Sequence, residues 1–194
     1  VVKEVKGIEI AVLWDKELTY KRYLIDRGFT CEVLTPGILA APFFSTRLCR
    51  LIVVPAGFGN PLYSRILTEL RATRVGINNF VRGGGTLLVS GAFSNRDAYN
   101  WLPITIRYVM EERRVKVELV KEHEAAAIVE ERGECFCDGY FEEVDVHCEV
   151  LLAVRRGEDE KPLLVLSRYG VGKIIATTIH EYPSEQFIAY CVGT

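Results

Sequence analysis

Four stretches of this sequence carry groups suited to chemistry, and each directly follows an apolar, strand-like run. Asp15 follows IEIAVLW; Gly57, Phe58, Gly59 and Asn60 follow LIVVPA; Ser90 and Gly91 follow TLLV; His180 and Glu181 follow GKIIATTI. Asp15 can accept a ligand hydroxyl, or cap the following helix by accepting from its free amides. Gly57, Gly59 and Asn60 form a glycine loop entering a helix, where unpaired N–H groups and the helix dipole suit an anion. The alternative there is a tight turn packed on Phe58. The Ser90 hydroxyl can simply end its strand by bonding backbone in the next turn. His180 is a side chain that changes charge near neutral pH, or a half-exposed residue satisfied by a backbone carbonyl. Glu181 points the other way along a strand unless the chain turns, which Tyr182 and Pro183 favour.

The six cysteines form no regular framework. Cys31, Cys49 and Cys191 sit in apolar runs, where a free thiol behaves as a small buried hydrophobe. Cys135, Cys137, His147 and Cys148 offer four soft ligands, but their spacing fits no zinc ribbon or finger. His147 and Cys148, adjacent on a strand, face opposite sides. No metal and no cofactor is expected.

The elements that must position these residues follow from periodicity. Residues 8–14 are β-branched and apolar throughout, as in a strand covered on both faces, and KELTYKRYLIDRG reads as a helix stopped by Gly28. FTCEVLTPG and residues 49–57 are the second and third strands. Asn60 and Pro61 are expected to open a long helix running to residue 81, followed by RGGG and a fourth strand over residues 86–90. Crossovers of this length make a parallel sheet with helices on both faces. The later runs ITIRYVM, RRVKVELV, VDVHCEVLLAVRR, KPLLVLSRYG and GKIIATTIH have short links, one of them the hairpin loop GEDEK, and predict an antiparallel or mixed extension. EHEAAAIVEE suits a short helix, and residues 184–192 an amphipathic segment returning to the sheet. In such open α/β sheets the functional crevice lies outside the carboxyl ends of the strands, where the four candidate stretches fall.

Composition sets limits. The 194 residues are 49% apolar and fit one domain, residues 1–194, with one sizeable core. A formal charge of −2 provides no basic field for nucleic acid or an anionic membrane. No apolar run reaches the roughly 20 residues of a membrane span, and the N-terminus lacks a signal-peptide pattern. The expected location is the cytoplasm. The first residue is Val, so the sequence can belong to a longer chain.

The order IAVLWD, LIVVPAGFGNP, FVRGGGTLLVSGAF, GYF and PLLVLSRYGVGKIIATTIHE resembles the class I glutamine amidotransferase-like superfamily. Within it, the order resembles the domain found at the N-terminus of some biotin–protein ligases. The resemblance spans most of the chain. It implies a flavodoxin-like fold, a glycine loop after the third strand, a nucleophile elbow after the fourth and a histidine ending the last strand. The family's reaction needs a cysteine at the elbow. Here that slot falls on Gly91 or, shifted by one, on Ser90, and no cysteine is near. His180 matches the family histidine, but the proline after it is missing and the acid moves up to Glu181. Tyr140, in the Gly-Tyr-Phe pattern, is placed near the crevice by the same resemblance.

Two functions follow. The first is a non-catalytic domain, a pseudoenzyme, that binds a small molecule or contacts a protein or a second copy of itself. Asp15, Gly57, Phe58, Gly59, Asn60, Gly91 and Tyr140 are its ligand-binding candidates. The second is a serine hydrolase using Ser90, His180 and Glu181, as some members of the superfamily place serine at the elbow. Leu88, two residues before Ser90, would crowd such a turn.

Overall fold

The structure is a computed structural model that describes residues 7–40, 49–95, 97–131 and 133–193. Its centre is an eight-stranded sheet. The strands β1 (Ile10–Leu13), β3 (Leu51–Val54) and β4 (Thr86–Val89) are buried at every residue, as continuous apolar runs covered on both faces must be. β1 pairs in parallel with β2 (Cys31–Leu34) and with β3, and β3 pairs in parallel with β4.

Helices cover both faces. On one, Tyr20 and Leu24 of α1 (Thr19–Asp26) pack with Ile10, Val12, Leu51 and Val53. On the other, Ile66 and Leu70 of α2 (Ile66–Ala72) and Ile77, Phe80 and Val81 of α3 (Arg74–Arg82) pack with Ala11, Leu13, Ile52 and Val54. The alternation of side chains along each strand thus feeds two separate cores.

The single helix expected over residues 60–81 is instead a series of turns followed by two helices. The Asn60 side chain accepts from the Leu62 amide at 3.0 Å, closing a turn that cannot continue as helix. Asp15 accepts from the Ser64 hydroxyl at 3.0 Å and the Arg65 amide at 2.9 Å, so the helical entry moves to Ile66. At Thr73 the hydroxyl donates back to the Glu69 carbonyl at 2.7 Å, and the chain re-aims between α2 and α3.

The second half holds a further correction. ITIRYVM and RRVKVELV do not form two strands joined by a polar link, because β5 (Ile106–Lys116) runs straight through EERR, with a register shift between Met110 and Arg113. It pairs antiparallel with β7 (Glu134–Val144) as a separate two-stranded ribbon. The short β6 (Glu118–Leu119) ends the main sheet beside β8 (Glu149–Arg156). β8 pairs antiparallel with β9 (Asp159–Tyr169) across Gly157, whose φ of +64° makes the tight turn possible. β9 pairs antiparallel with β10 (Gly172–Thr177), and β10 lies parallel to β4. The order is therefore β2-β1-β3-β4-β10-β9-β8-β6, a parallel region extended by antiparallel strands.

The alanine-rich stretch forms a short 3-10 helix, Glu124–Ile128, with His123 Nδ1 accepting from the Ala125 amide at 3.0 Å. The terminal helix α4 (Glu185–Val192) has Ser184 as N-cap, accepting from the Phe187 amide at 3.1 Å, and Gly193 in the left-handed region as C-cap. No helix among the described residues is long and apolar enough to cross a membrane.

Candidate functional site

The loops leaving β3 and β4 are fastened to each other at the carboxyl end of the sheet. The Gly57 amide donates to the Gly91 carbonyl at 2.8 Å, and the Gly59 amide to the Ala92 carbonyl at 3.0 Å. The buried Tyr99 hydroxyl donates to the Ser90 carbonyl and accepts from the Ala92 amide, both at 3.0 Å. Next in the chain, Phe93 takes a left-handed φ of +54°, uncommon for an aromatic residue.

β7 then crosses this end of the sheet. The Asp138 amide donates to the Thr178 carbonyl at 3.0 Å, and the His180 amide to the Phe136 carbonyl at 2.9 Å. Glu181 Oε1 accepts from the Phe136 amide at 2.7 Å. These bonds lay the fully buried Asp138 over the turn after β4. A Cβ on residue 91 would overlap both Asp138 carboxylate oxygens, so glycine is what leaves the carboxylate room. The Tyr108 hydroxyl donates to the Asp138 carbonyl at 2.8 Å and is 3.1 Å from Oδ1. Oδ2 has no hydrogen-bond partner among the described residues, and His180 Nδ1 lies 4.0 Å from it, at ion-pair distance. The His180 ring stands edge-on to Phe136 and is half exposed.

Electrostatics follow from that burial. Desolvation pushes the Asp138 carboxyl above the usual carboxylate range, against the opposing pull of His180 and Tyr108. The Asp138 carboxylate in turn holds His180 above the usual histidine value, against partial burial. Burial, and then the Asp138 charge, push the Tyr99 and Tyr108 phenols upward. Asp15 is pushed up by its partial burial, but the Arg65 amide and Ser64 hydroxyl outweigh this and keep it low.

Two cavities meet at His180. One, of about 480 Å³, has walls of Trp14, Tyr63, Phe93 and Phe136, with Lys16 and Glu112 at its polar positions. The other, of about 170 Å³, is lined by Ser90, Ile179, Tyr182 and Pro183 among others. The Trp14 Nε1 is buried without a hydrogen-bond partner among the described residues. A larger cavity of about 720 Å³ lies at the opposite ends of β4 and β10, among Arg50, Gly85, Arg168 and Lys173. None of the sequence-derived candidates lines it, and it abuts the end of a described stretch at Cys49. The chemistry-bearing groups converge on the two smaller cavities, which makes those the candidate site.

The candidates from sequence are thus distributed unevenly. Ser90 and His180 face the same small cavity, but among the described residues no hydrogen bond joins the Ser90 hydroxyl to His180. Glu181 is bonded to β7 backbone. Gly57 lines the 480 Å³ cavity at His180, but its amide, with those of Gly59 and Asn60, is already bonded within the loops, which leaves these three donors unavailable to an anion. Phe58 is a core residue edge-on to Tyr99 and Trp101. Asp15 caps the entry to α2, not α1. Tyr140 stands near Arg156 and Lys161, each 5.3 Å from its ring, and lines neither crevice cavity.

Sequence reasoning missed Asp138, Tyr108 and Phe136. The available signal was an aspartate in the middle of ECFCDGYF, since an acid inside an otherwise apolar strand is rarely fully buried without purpose. The six cysteines are unpaired thiols, five of them buried. Among the described residues no group of three or more His, Cys, Asp or Glu side chains could hold a metal ion.

Comparison with known proteins gives a likeness of structure. No family model and no curated sequence matches the chain. A cytoplasmic protein from Salmonella typhimurium superposes with a TM-score of 0.65 at 14% identity, covering 96% of this chain and 98% of its own. A ThuA-like protein from Bacteroides uniformis superposes with a TM-score of 0.58 at 13% identity, covering 97% and 87%. The β-galactosidase of Bacillus circulans sp. alkalophilus matches at 0.58 and 12% identity, and there this chain spans only 30% of the enzyme. At these identities the likeness shows the fold alone: an α/β architecture shared with these proteins, a ThuA-like protein among them.

Proposed function

We propose that this chain is a single glutamine amidotransferase-like domain of flavodoxin-like type that lacks the amidotransferase reaction. It uses the crevice at the carboxyl ends of its parallel strands to bind a small molecule without a covalent intermediate. One observation carries the reading: the space that a nucleophile's side chain would need at position 91 is filled by the Asp138 carboxylate. The Gly57 amide, which borders the same turn, is taken by the Gly91 carbonyl and is not a free donor for an oxyanion. The strand order β2-β1-β3-β4-β10 supports the flavodoxin-like description. The nearer kinship with the biotin–protein ligase domain rests on motif order alone, and a cytoplasmic location accords with the cytoplasmic protein of Salmonella that shares the fold.

The hydrolase reading draws on one specific feature, that Ser90 and His180 border one cavity. Incubation with a serine-reactive fluorophosphonate and intact-mass measurement separates the two. The expected result is an unmodified mass. A single adduct that disappears in Ser90→Ala would establish the hydrolase and overturn the proposal.

A further inference from the structure

We propose that His180, oriented by Asp138, is a general base that moves a proton within the small molecule bound in this crevice. The inference rests on the crevice being the ligand site, as read above, and adds a reaction class: isomerisation by proton transfer. His180 Nε2 takes a proton from a C–H or O–H of the ligand, whose electron pair stays on the ligand. The imidazolium then returns the proton to another atom of the same molecule, so nothing is consumed.

The geometry argues this in three steps. A fully buried carboxylate with an unpaired oxygen is costly, and among the described residues the basic group nearest that oxygen, Oδ2, is the imidazole, with Nδ1 4.0 Å away. A carboxylate facing Nδ1 favours the tautomer with its proton there, which leaves Nε2, across the ring, as the acceptor. His180 is half exposed and borders both cavities, and no hydrogen bond to Ser90 engages it. Asp138, out of reach of the cavities and held by the Tyr108 hydroxyl, is a positioning residue. Trp14, Tyr63, Phe93 and Phe136 give the cavity beside the base an aromatic wall against which a flat ligand can pack. The other charges facing His180 are Glu112 from β5 and Glu181 beside it, both adding to the effect of Asp138, with Lys16 across the cavity opposing them.

The test uses the full chain and two readouts. The sequence has three histidines, so histidine-selective ¹⁵N labelling and long-range ¹H–¹⁵N correlation report each ring. His123, whose Nδ1 accepts from the Ala125 amide, must be the Nε2–H tautomer and serves as an internal reference. His180 should show the opposite tautomer when neutral and lose that preference in Asp138→Asn. The second readout is 5-nitrobenzisoxazole, a flat aromatic probe of base strength. Nε2 removes its C3 proton, the C–H pair forms the nitrile, the N–O bond breaks to a phenolate, and the proton passes to water.

The expected result is saturable elimination with shifts at the Trp14 indole and a loss of about 100-fold in His180→Gln. In Asp138→Asn the rate constant at saturation should fall and the midpoint of the pH profile should move down, with little change in KM. A His180 tautomer like that of His123, or a rate unchanged in His180→Gln while the probe still shifts Trp14, overturns the proton-transfer assignment and leaves the crevice reading standing. If no signal of Trp14 or His180 responds to millimolar probe, both readings fall.

Discussion

The Asp138 carboxylate lies where the first side-chain atom of any residue but glycine at position 91 would have to be. Two segments separated by nearly fifty residues thus share one space at the end of β4. The turn after β4 receives its side chain from β7.

The first prediction concerns pH. Asp138 is held above the usual carboxylate range by burial, and His180 above the usual histidine range by Asp138. Both groups therefore bind protons more tightly in the folded than in the unfolded chain. Their stabilising contribution is complete at low pH and is lost as pH rises through the folded values. Thermal unfolding followed from the carboxylate range up to pH 8 should show a decline with rising pH that is absent or weaker in Asp138→Asn. An identical pH dependence in the two proteins would refute the coupling.

Asp15 should matter for folding through α2. Its carboxylate accepts from the Ser64 hydroxyl and the Arg65 amide. Asp15→Ala should cost about 1 kcal/mol in denaturant unfolding, and Asp15→Asn, which keeps an acceptor, should cost less. Because the carboxyl is held low, its contribution is present at neutral pH and lost as pH falls through its folded value.

The thiols should be inert in the folded protein. Burial pushes Cys31, Cys49, Cys137 and Cys191 up to about 12 and raises Cys135 and Cys148 as well. A chromogenic disulfide reagent at pH 8 should titrate six thiols in denaturant but react slowly without it, with the half-buried Cys148 first. A stoichiometric fast phase in the native protein would contradict this.

Much of the parallel region was legible because its signals are local. Continuous apolar runs such as LIVV and TLLV mark strands covered on both faces. The helix expected over residues 60–81 failed because distant Asp15 captures Ser64 and Arg65. The placement of Asp138 was not legible for the same kind of reason. Its position over the β4 turn is set by pairing of Phe136 and Asp138 with residues 178–180, and no local pattern in CDGYFEE announces that partner. Tyr140, placed near the crevice by motif order, falls under Arg156 and Lys161 because a β-strand sends neighbouring side chains to different surroundings.

The most direct test of the central claim is a double-mutant cycle on Gly91 and Asp138, read by equilibrium unfolding. Gly91→Ala alone should destabilise the fold by about 1–3 kcal/mol, because the added methyl meets the carboxylate. In an Asp138→Gly background the same substitution should cost little. An equal cost in both backgrounds, or no cost in either, would mean that Asp138 does not occupy the space a side chain at position 91 would need.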